Sequence, residues 1–470
     1  MRARGGGTDT CGERMAEAVG LSWAVGMALF SEAYFLLYLV GAPDPVTVAL
    51  SLGVAVVAVA AGLRVLRCAR VGEPWSATGI PSRRSAVVAG GLAVAAAQIL
   101  VASWIATHSL LRHDDAWTVW AWKARMVVAG PLPPGYFHYL VWTSHPNYPF
   151  NLSLAEALFF HLPDPLGLTL ASLIGTVCLV ALLLLFYAGL ARLYGRGVAA
   201  LATGALALVP SLPLFAGYTY ADVPLALYAG ASALYLLLWL RLRRPIDLAL
   251  MGLLAGGAIW TKKEGLPIAL LLLLAVVLGE ARWRGQRGQR GRRDMSWRER
   301  VRPIVRAGVA TAVLSLPWLV FTRIVRPGGS DVQPITPAVF VANVGRLPTI
   351  ALYVVREALD VEGWGVFWIV VVAAVLLALR RRLLSPQGGI LLLVLLGQLA
   401  VYMAGYVFSS WTPYTLHIDS SLNRLMLQAV PLALLVAVDA VRALVPRSVP
   451  LDLYTAKAAD LPRETTRSAM

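Results

Sequence analysis

Long apolar runs separated by short charged clusters dominate the hydrophobic pattern of this 470-residue chain. A bilayer core of about 30 Å needs about 20 residues of helix, and a helix satisfies its own backbone hydrogen bonds in lipid. The pattern therefore predicts an all-α polytopic membrane protein with about 12 transmembrane helices. The sixth predicted span ends before Arg241, and the tenth ends before Arg380. The others are 18–40, 46–63, 87–111, 166–190, 197–215, 246–260, 266–278, 307–324, 389–408 and 425–444.

Basic residues divide the predicted loops into two sides. Most of the 41 Lys and Arg residues fall on one side, which the positive-inside rule makes cytoplasmic. The basic N-terminus ahead of a long first span is predicted to be a signal anchor, so both termini are expected in the cytoplasm of a multi-pass cell-membrane protein. The predicted regions are cytoplasmic tails at 1–17 and 446–470, a transmembrane domain at 18–445, outer loops at 112–165, 326–363 and 409–424, and an Arg-rich cytoplasmic loop at 280–306.

Composition narrows the function classes further. A chain that is 58% hydrophobic and 14% charged is not an ordinary soluble enzyme. Its net charge of +16 does not predict nucleic-acid binding, because anionic lipid headgroups are a sufficient partner for a cytoplasmic excess of arginine. None of the three cysteines, Cys11, Cys68 and Cys178, lies on the predicted outer side, so no disulfide framework is expected.

The first outer loop opens with two adjacent carboxylates. Asp114 and Asp115 follow a predicted span directly and precede a tryptophan-rich segment with helical spacing. That segment is predicted to lie along the membrane interface, with Lys123 and Arg125 toward water. Helix capping would account for one Asp, but two adjacent ones at the lipid surface favour a functional role.

The second half of this loop reads Ser144-His-Pro-Asn-Tyr-Pro-Phe-Asn151. Its prolines fix an extended course, and His145, Asn147 and Tyr148 offer hydrogen bonds and stacking suited to a sugar or a phosphate. The alternative is an ordered loop that packs against the spans.

Four charged residues elsewhere are further candidates. Lys262 and Lys263 lie at the tip between two short spans, where they could bind a phosphate or reach headgroups as a surface turn. Arg424, close to His417 in sequence, is a second candidate contact or an interfacial anchor. Asp222, before Pro224, is equally well explained as a helix cap.

One buried acid lies outside these loops. Glu32 falls inside the first predicted span, where a hydrogen bond to a neighbouring helix would satisfy it.

Together these stretches resemble the C-type (GT-C) glycosyltransferases, and most closely the protein O-mannosyltransferase and aminoarabinose-transferase group. The first loop is the most specific part, and the likeness extends over about residues 90–440. This chain departs from the family pattern in three respects: two extra spans precede the loop, the acidic pair is Asp-Asp and not Asp-Glu, and Asn147 replaces a common Asp. The motifs that agree are Tyr220-Ala-Asp-Val-Pro-Leu225, Thr261-Lys-Lys-Glu-Gly265 and Asn423-Arg-Leu-Met-Leu-Gln428.

The resemblance implies a GT-C fold whose first outer loop is catalytic and carries interfacial helices. It implies transfer of a sugar, with inversion, from a polyprenyl phosphate to a hydroxyl of an envelope glycan, lipid or protein at the outer membrane face. Asp115 would be the base, with Asp114 as second choice or orienting partner. Lys262, Lys263 and Arg424 would bind the donor phosphate. Sugar or acceptor contacts would come from His145, Asn147, Tyr148, Asp222, Glu264 and His417.

Two other function classes remain open, and no cofactor is predicted. A transporter or lipid-linked sugar flippase would be expected to place ionisable residues near the bilayer midplane on broken helices; here they lie mostly in outer loops. An oligosaccharide ligase or polymerase would carry a large late outer loop rich in Arg and His, but 326–363 contains no His. No residue spacing indicates a zinc site, although the Asp114–Asp115 pair could accept a divalent cation.

Overall fold

The computed structural model describes residues 11–42, 44–69, 82–133, 135–139, 145–286, 297–328 and 331–444. Ser144, the tail 446–470, residues 1–10 of the N-terminal tail and residues 287–296 of the Arg-rich loop lie outside these ranges. The described chain is helical, with one isolated β-bridge between Val332 and Ser409.

Twenty α-helices make up this part of the chain. They are α1 Cys11–Leu39, α2 Asp44–Ala69, α3 Ser82–Ser109, α4 Trp122–Ala129, α5 Tyr136–Tyr139, α6 Asn151–Phe160, α7 Leu166–Ser172, α8 Ile174–Tyr194, α9 Arg196–Ala207, α10 Ser211–Tyr218, α11 Asp222–Leu242, α12 Pro245–Thr261, α13 Gly265–Gln286, α14 Trp297–Val325, α15 Pro337–Asn343, α16 Leu347–Ala358, α17 Val361–Trp364, α18 Phe367–Arg380, α19 Pro386–Val407 and α20 Tyr414–Leu444. A π-helix, Ala116–Ala121, leads into α4, and a 3-10 turn, Val344–Arg346, joins α15 to α16.

The described helices confirm a multi-pass membrane protein but not the count of twelve spans. Ten helices are long and apolar enough to cross a bilayer, or eleven if the pair α9 and α10, bent by 63°, forms one span. The bend falls next to Pro210, which cannot continue a helix. Two predicted spans, α12 and α18, are shorter apolar helices of 17 and 14 residues. Conversely, the segment Pro337–Ala358, inside a predicted outer loop, is long and apolar enough to cross.

Helix α11 lies at the centre of the bundle. Its most apolar window is completely buried, whereas only 17% and 11% of the corresponding windows of α2 and α3 are buried. It packs against α8, α12, α13 and α20. Lipid tails are as apolar as leucine, so hydrophobicity alone does not distinguish a central helix from a peripheral one. The central position matters because α11 begins at Asp222.

Helices α12 and α14 approach each other closely through small residues. A Cβ added to Gly252 would lie 2.5 Å from the carbonyl oxygen of Ala307, and one added to Gly256 would overlap the carbonyl oxygen of Thr311. Glycines four residues apart on one face let two membrane helices bring their backbones together. This contact holds the middle of α12, the helix that leads to Lys262, against the middle of α14.

We expect Gly256→Leu to destabilise the fold by about 1–3 kcal/mol, because the new side chain must separate two packed backbones. Gly308→Leu on α14 is the matched control, since a Cβ there would meet nothing within 4 Å. Thermal unfolding midpoints in detergent measure both changes. Equal midpoints for the two variants would contradict the role given to the α12–α14 contact.

Charged residues collect at two ends of the bundle. At one end, which we call the site end, lie Asp115, Asp222, Lys262 and Arg424. The other end, the far end, has its own ion pairs: Arg192–Glu17, Arg192–Asp247, Arg196–Glu13, Arg241–Asp439 and Arg243–Glu280. Because α11 and α12 each run from one layer to the other, the two layers enclose the apolar part of the bundle.

Candidate functional site

Asp222 is the centre of the charged network at the site end. It is fully buried, and its carboxylate accepts hydrogen bonds from Lys262 Nζ at 2.7 Å, Arg424 Nε at 3.0 Å and Gln428 Nε2 at 2.6 Å. The N-cap position of α11 is Ala221 and the helix begins at Asp222, so Asp222 is not the capping residue of this helix. A buried carboxylate needs such partners, because desolvating an unpaired charge is costly.

Arg424 joins Asp222 to the first loop. Its Nε donates to Asp222 while an Nη2–H lies against Asp115 Oδ2, and its guanidinium lies 4.9 Å from the centroid of the Tyr220 ring. Only 14% of the side chain is exposed, so Arg424 is not a simple interfacial anchor. The planar guanidinium can serve two carboxylates with different nitrogens, which a lysine cannot do.

The structure separates the two neighbouring aspartates. Asp115 is partly buried and faces Arg424, whereas Asp114 is exposed. The side chain of Asp115 makes no capping hydrogen bond to the helix that follows. Burial and then the Asp115 carboxylate raise the pKa of Tyr220 to about 12, which keeps this neighbouring phenol protonated. Asp115 is therefore a carboxylate at the edge of the network. It pairs with the Arg424 cation, and 22% of its side chain remains exposed.

The two neighbouring lysines point to different partners. Helix α12 ends at Thr261, and Lys262 adopts an extended backbone conformation, φ −156° and ψ 153°. Lys262 is buried against Asp222, with Glu264 Oε1 at 3.6 Å, so it does not reach for headgroups. Although burial disfavours its charge, these carboxylates hold the pKa of Lys262 above its ordinary value. Gly265 permits this tight turn, since a Cβ there would overlap the carbonyl oxygen of Ala258.

Lys263 pairs with an aspartate that sequence reasoning missed. Its Nζ lies 2.6 Å from Asp331 Oδ2 and 4.9 Å from the centroid of the Tyr148 ring. Burial raises the pKa of Asp331, but the Lys263 charge outweighs burial, and the net pKa is below its ordinary value. Asp331 lies in a Pro- and Gly-containing stretch without helical or strand periodicity, and no sequence pattern ties it to Lys263.

His417 and Glu264 lie beside these pairs. His417 Nδ1 is 2.9 Å from Ser409 Oγ, and its ring stacks on Trp411, whose Nε1 donates to Asp331 at 3.4 Å. Glu264 Oε2 is buried without a hydrogen-bond partner among the described residues.

Lys123 was predicted to face water, and this prediction is wrong. Its side chain is fully buried, and Nζ donates to the carbonyl oxygens of His145 at 2.8 Å and Tyr148 at 3.2 Å. It also lies 5.2–5.8 Å from three ring centroids, including those of Trp120 and Phe150. The π-helix adds a residue to the turn before α4 and rotates the face that follows. Aromatic faces and carbonyl oxygens then provide the partners that a buried cation requires.

Lys123 thereby holds the loop of His145, Asn147 and Tyr148. The rings of His145 and Tyr148 stack 4.9 Å apart, and Tyr148 lies against Lys263. His145 has a positive φ of 40°, and its carbonyl oxygen accepts the hydrogen bond from Lys123. Burial lowers the pKa of His145, so its imidazole is neutral near pH 7 and can accept or donate one hydrogen bond.

A cavity of about 530 Å³ adjoins this loop. Its wall combines cationic and polar side chains with an apolar surface from α12, α13 and α14. Arg323 and Arg326 have no ion pair within the described ranges. The lining residues are Asn147, Ile259, Lys263, Leu266, Trp318, Leu319, Thr322, Arg323, Arg326 and Pro327. A ligand with an anionic head and an apolar tail would match such a wall.

Other acidic residues stay outside the network. Glu32 in α1 is buried and its Oε1 has no hydrogen-bond partner among the described residues, so the predicted bond to a neighbouring helix is not found for this atom. Both carboxyl oxygens of Glu156 in α6 are also buried without a hydrogen-bond partner among the described residues. In the described part of the chain, no three His, Cys, Asp or Glu side chains gather as a metal site requires.

Comparison with protein-family models, curated proteins and solved structures found no match to this chain. The site therefore has to be interpreted from its own geometry.

Proposed function

We propose that this protein is an inverting glycosyltransferase that moves a sugar from a polyprenyl phosphate to an acceptor in the cell envelope. The observation that carries the proposal is the linked series Asp115–Arg424–Asp222–Lys262. It presents a carboxylate at the open edge of a site whose remaining charges are buried and paired. General-base chemistry needs such a positioned carboxylate, and a departing phosphate needs cations nearby.

Asp115 is the proposed base. It removes the proton of the acceptor hydroxyl as that oxygen attacks the anomeric carbon of the sugar. The bond from this carbon to the phosphate oxygen breaks, the electron pair leaves with the phosphate, and configuration inverts. Asp114, being exposed, remains the second choice.

We assign the donor phosphate to the cavity beside Lys263. Lys263, Arg323 and Arg326 supply the positive charge, while Trp318 and Leu319 offer an apolar surface for the first isoprene units. Charge-assisted contacts of this kind are the strong ones for phosphate. Lys262 contacts Asp222 and lies almost fully buried, so we give it the role of keeping Asp222 ionised. Arg424 lies between the base and Asp222 and pairs with both carboxylates.

The distribution of charge favours an enzyme over a transporter or flippase. A transporter would carry ionisable groups at a break in a helix near the midplane. The bent pair α9 and α10 breaks at Leu208, Val209 and Pro210, which carry no charge. The ion pairs lie at the two ends. The arginines of α8, α9 and α11 lie at the far end, and the positive-inside rule supports our proposal that the site end faces outside the cell.

The test is transfer from a panel of radiolabelled polyprenyl-phosphate sugars by membranes that contain wild type, Asp115→Asn or Asp114→Asn. We expect transfer by the wild type and a loss of about 10²–10⁴-fold with Asp115→Asn, the usual contribution of a general base. Asp114→Asn is the matched control and should retain transfer.

Other outcomes change the proposal in defined ways. Loss only with Asp114→Asn would keep the reaction class and reassign the base. Equal transfer by all three proteins would remove the acidic pair from the chemistry. Transport of a labelled lipid-linked sugar across vesicles, without transfer, would establish the flippase alternative.

A further inference from the structure

A second cavity, of about 650 Å³, lies at the far end of the bundle, away from the site. It is formed by the C-terminal ends of α13 and α18 and the first turns of α19. The lining is largely apolar with two arginines at its rim: Leu278, Arg282, Leu379, Arg382, Leu384, Ser385, Pro386, Gly389, Ile390 and Leu393. Ser385 ties the cavity to the far-end charge layer, because its hydroxyl donates to Asp439 at 2.7 Å.

Two arginines at the cavity are not among the ion pairs of the described part of this layer. Asp439 is occupied by Arg241 and Ser385, and Glu280 is occupied by Arg243 and Arg284. Asp439 and Glu280 are therefore already paired. The side chains of Arg282 and Arg382 have no ion pair or hydrogen bond within the described ranges.

The apolar wall limits what can occupy the cavity. Leu379 and Leu393 are 48% and 49% exposed, so about half of each apolar side chain is left uncovered. Ile390 and Leu393 lie one turn apart on α19, so the apolar strip continues along the helix toward the middle of the bundle. A free phosphate would use the arginines and leave this strip uncovered.

We infer that this cavity binds one anionic phospholipid. Arg282 and Arg382 hold the phosphate of the headgroup, and the acyl chains lie along Leu278, Ile390 and Leu393. This binding site is separate from the proposed transferase site and does not depend on it. Its occupant comes from the leaflet that contacts the far end of the bundle.

The test is a native mass spectrometry titration of the purified full chain with phosphatidylglycerol and with phosphatidylcholine of the same acyl chains. We expect the wild type to bind phosphatidylglycerol about thirtyfold more tightly, because each basic residue near an anionic headgroup contributes a factor of about five. Arg282→Gln/Arg382→Gln should remove this preference. Arg380→Gln/Arg381→Gln, which removes equal charge outside the cavity lining, should keep it.

Two further arms separate the lipid from other occupants. Leu393→Trp, an exposed position, retains both arginines but fills the apolar strip and should weaken phosphatidylglycerol binding. Glycerol 3-phosphate, which has the headgroup charge without acyl chains, should not compete at equal concentration. Equal loss in the two double variants, full competition by glycerol 3-phosphate, or no preference in the wild type would each overturn the proposal.

Discussion

Asp222→Asn is expected to lower the free energy of unfolding by about 3–5 kcal/mol, the range for breaking a buried ion pair by removing one partner. The carboxylate is fully buried and serves Lys262, Arg424 and Gln428. Asparagine has nearly the same shape and can still accept a hydrogen bond, but it carries no charge. Lys262 would be left with only Glu264, 3.6 Å away. Chemical or thermal unfolding in detergent, together with the yield of folded protein, measures the change.

The cause can be separated from a general intolerance of substitution. Asp114→Asn makes the same chemical change at an exposed position and should cost almost nothing. Adding Lys262→Met to Asp222→Asn removes the unpaired cation and should recover part of the loss. A double variant that is no more stable than Asp222→Asn alone would mean that the uncompensated charge of Lys262 is not the cause.

Arg424→Lys is expected to reduce sugar transfer by about 10²–10³-fold, although the charge is conserved. Arg424 contacts Asp222 through Nε and Asp115 through Nη2, so a single guanidinium positions both carboxylates. A lysine has one ammonium on a flexible stem and cannot hold both. Asp115 would then lose its fixed position. Initial rates with the best donor of the radiolabelled panel measure the effect, with unfolding midpoints recorded for the same samples.

Arg346→Lys is the matched control for this substitution. Arg346 uses one nitrogen, Nη1, to donate to three carbonyl oxygens, those of Tyr406, Val407 and Ser409. One ammonium can replace that arrangement, so transfer should persist. Equal activity of Arg424→Lys and wild type would show that the link between the two carboxylates is not needed for transfer.

The apolar pattern was sufficient to predict a helical membrane protein, and separate motifs marked several residues that the fold brings together. Asp115, Asp222, Lys262 and Arg424 stood out for their position near predicted helix ends, and they form one network. Their pairing could not be predicted, because partners up to 309 residues apart, such as Asp115 and Arg424, share no local pattern.

The residues that were missed depend on backbone details without a sequence signature. Lys123 is buried because a π-helix changes the register of the helix that follows. Lys262 and Lys263 are adjacent residues of the same type. The backbone is extended at Lys262, and the two side chains contact different partners, Asp222 and Asp331 respectively. Asp331 comes from a stretch without periodicity. Conformations of this kind are set by tertiary contacts and not by local propensity.

The short helix between the two charge layers has a consequence for how a substrate arrives. Helix α12 has 17 residues, which correspond to about 25 Å at 1.5 Å per residue, less than the hydrocarbon thickness of about 30 Å. If α12 starts at the far headgroup layer, this hydrophobic mismatch would set Lys262 below the plane of the opposite headgroups. A molecule dissolved in water would have to cross that plane to reach it. The lipid-borne donor that we propose would diffuse within the bilayer and enter sideways between the helices, so a site at this depth would favour a membrane-anchored donor over a water-soluble one.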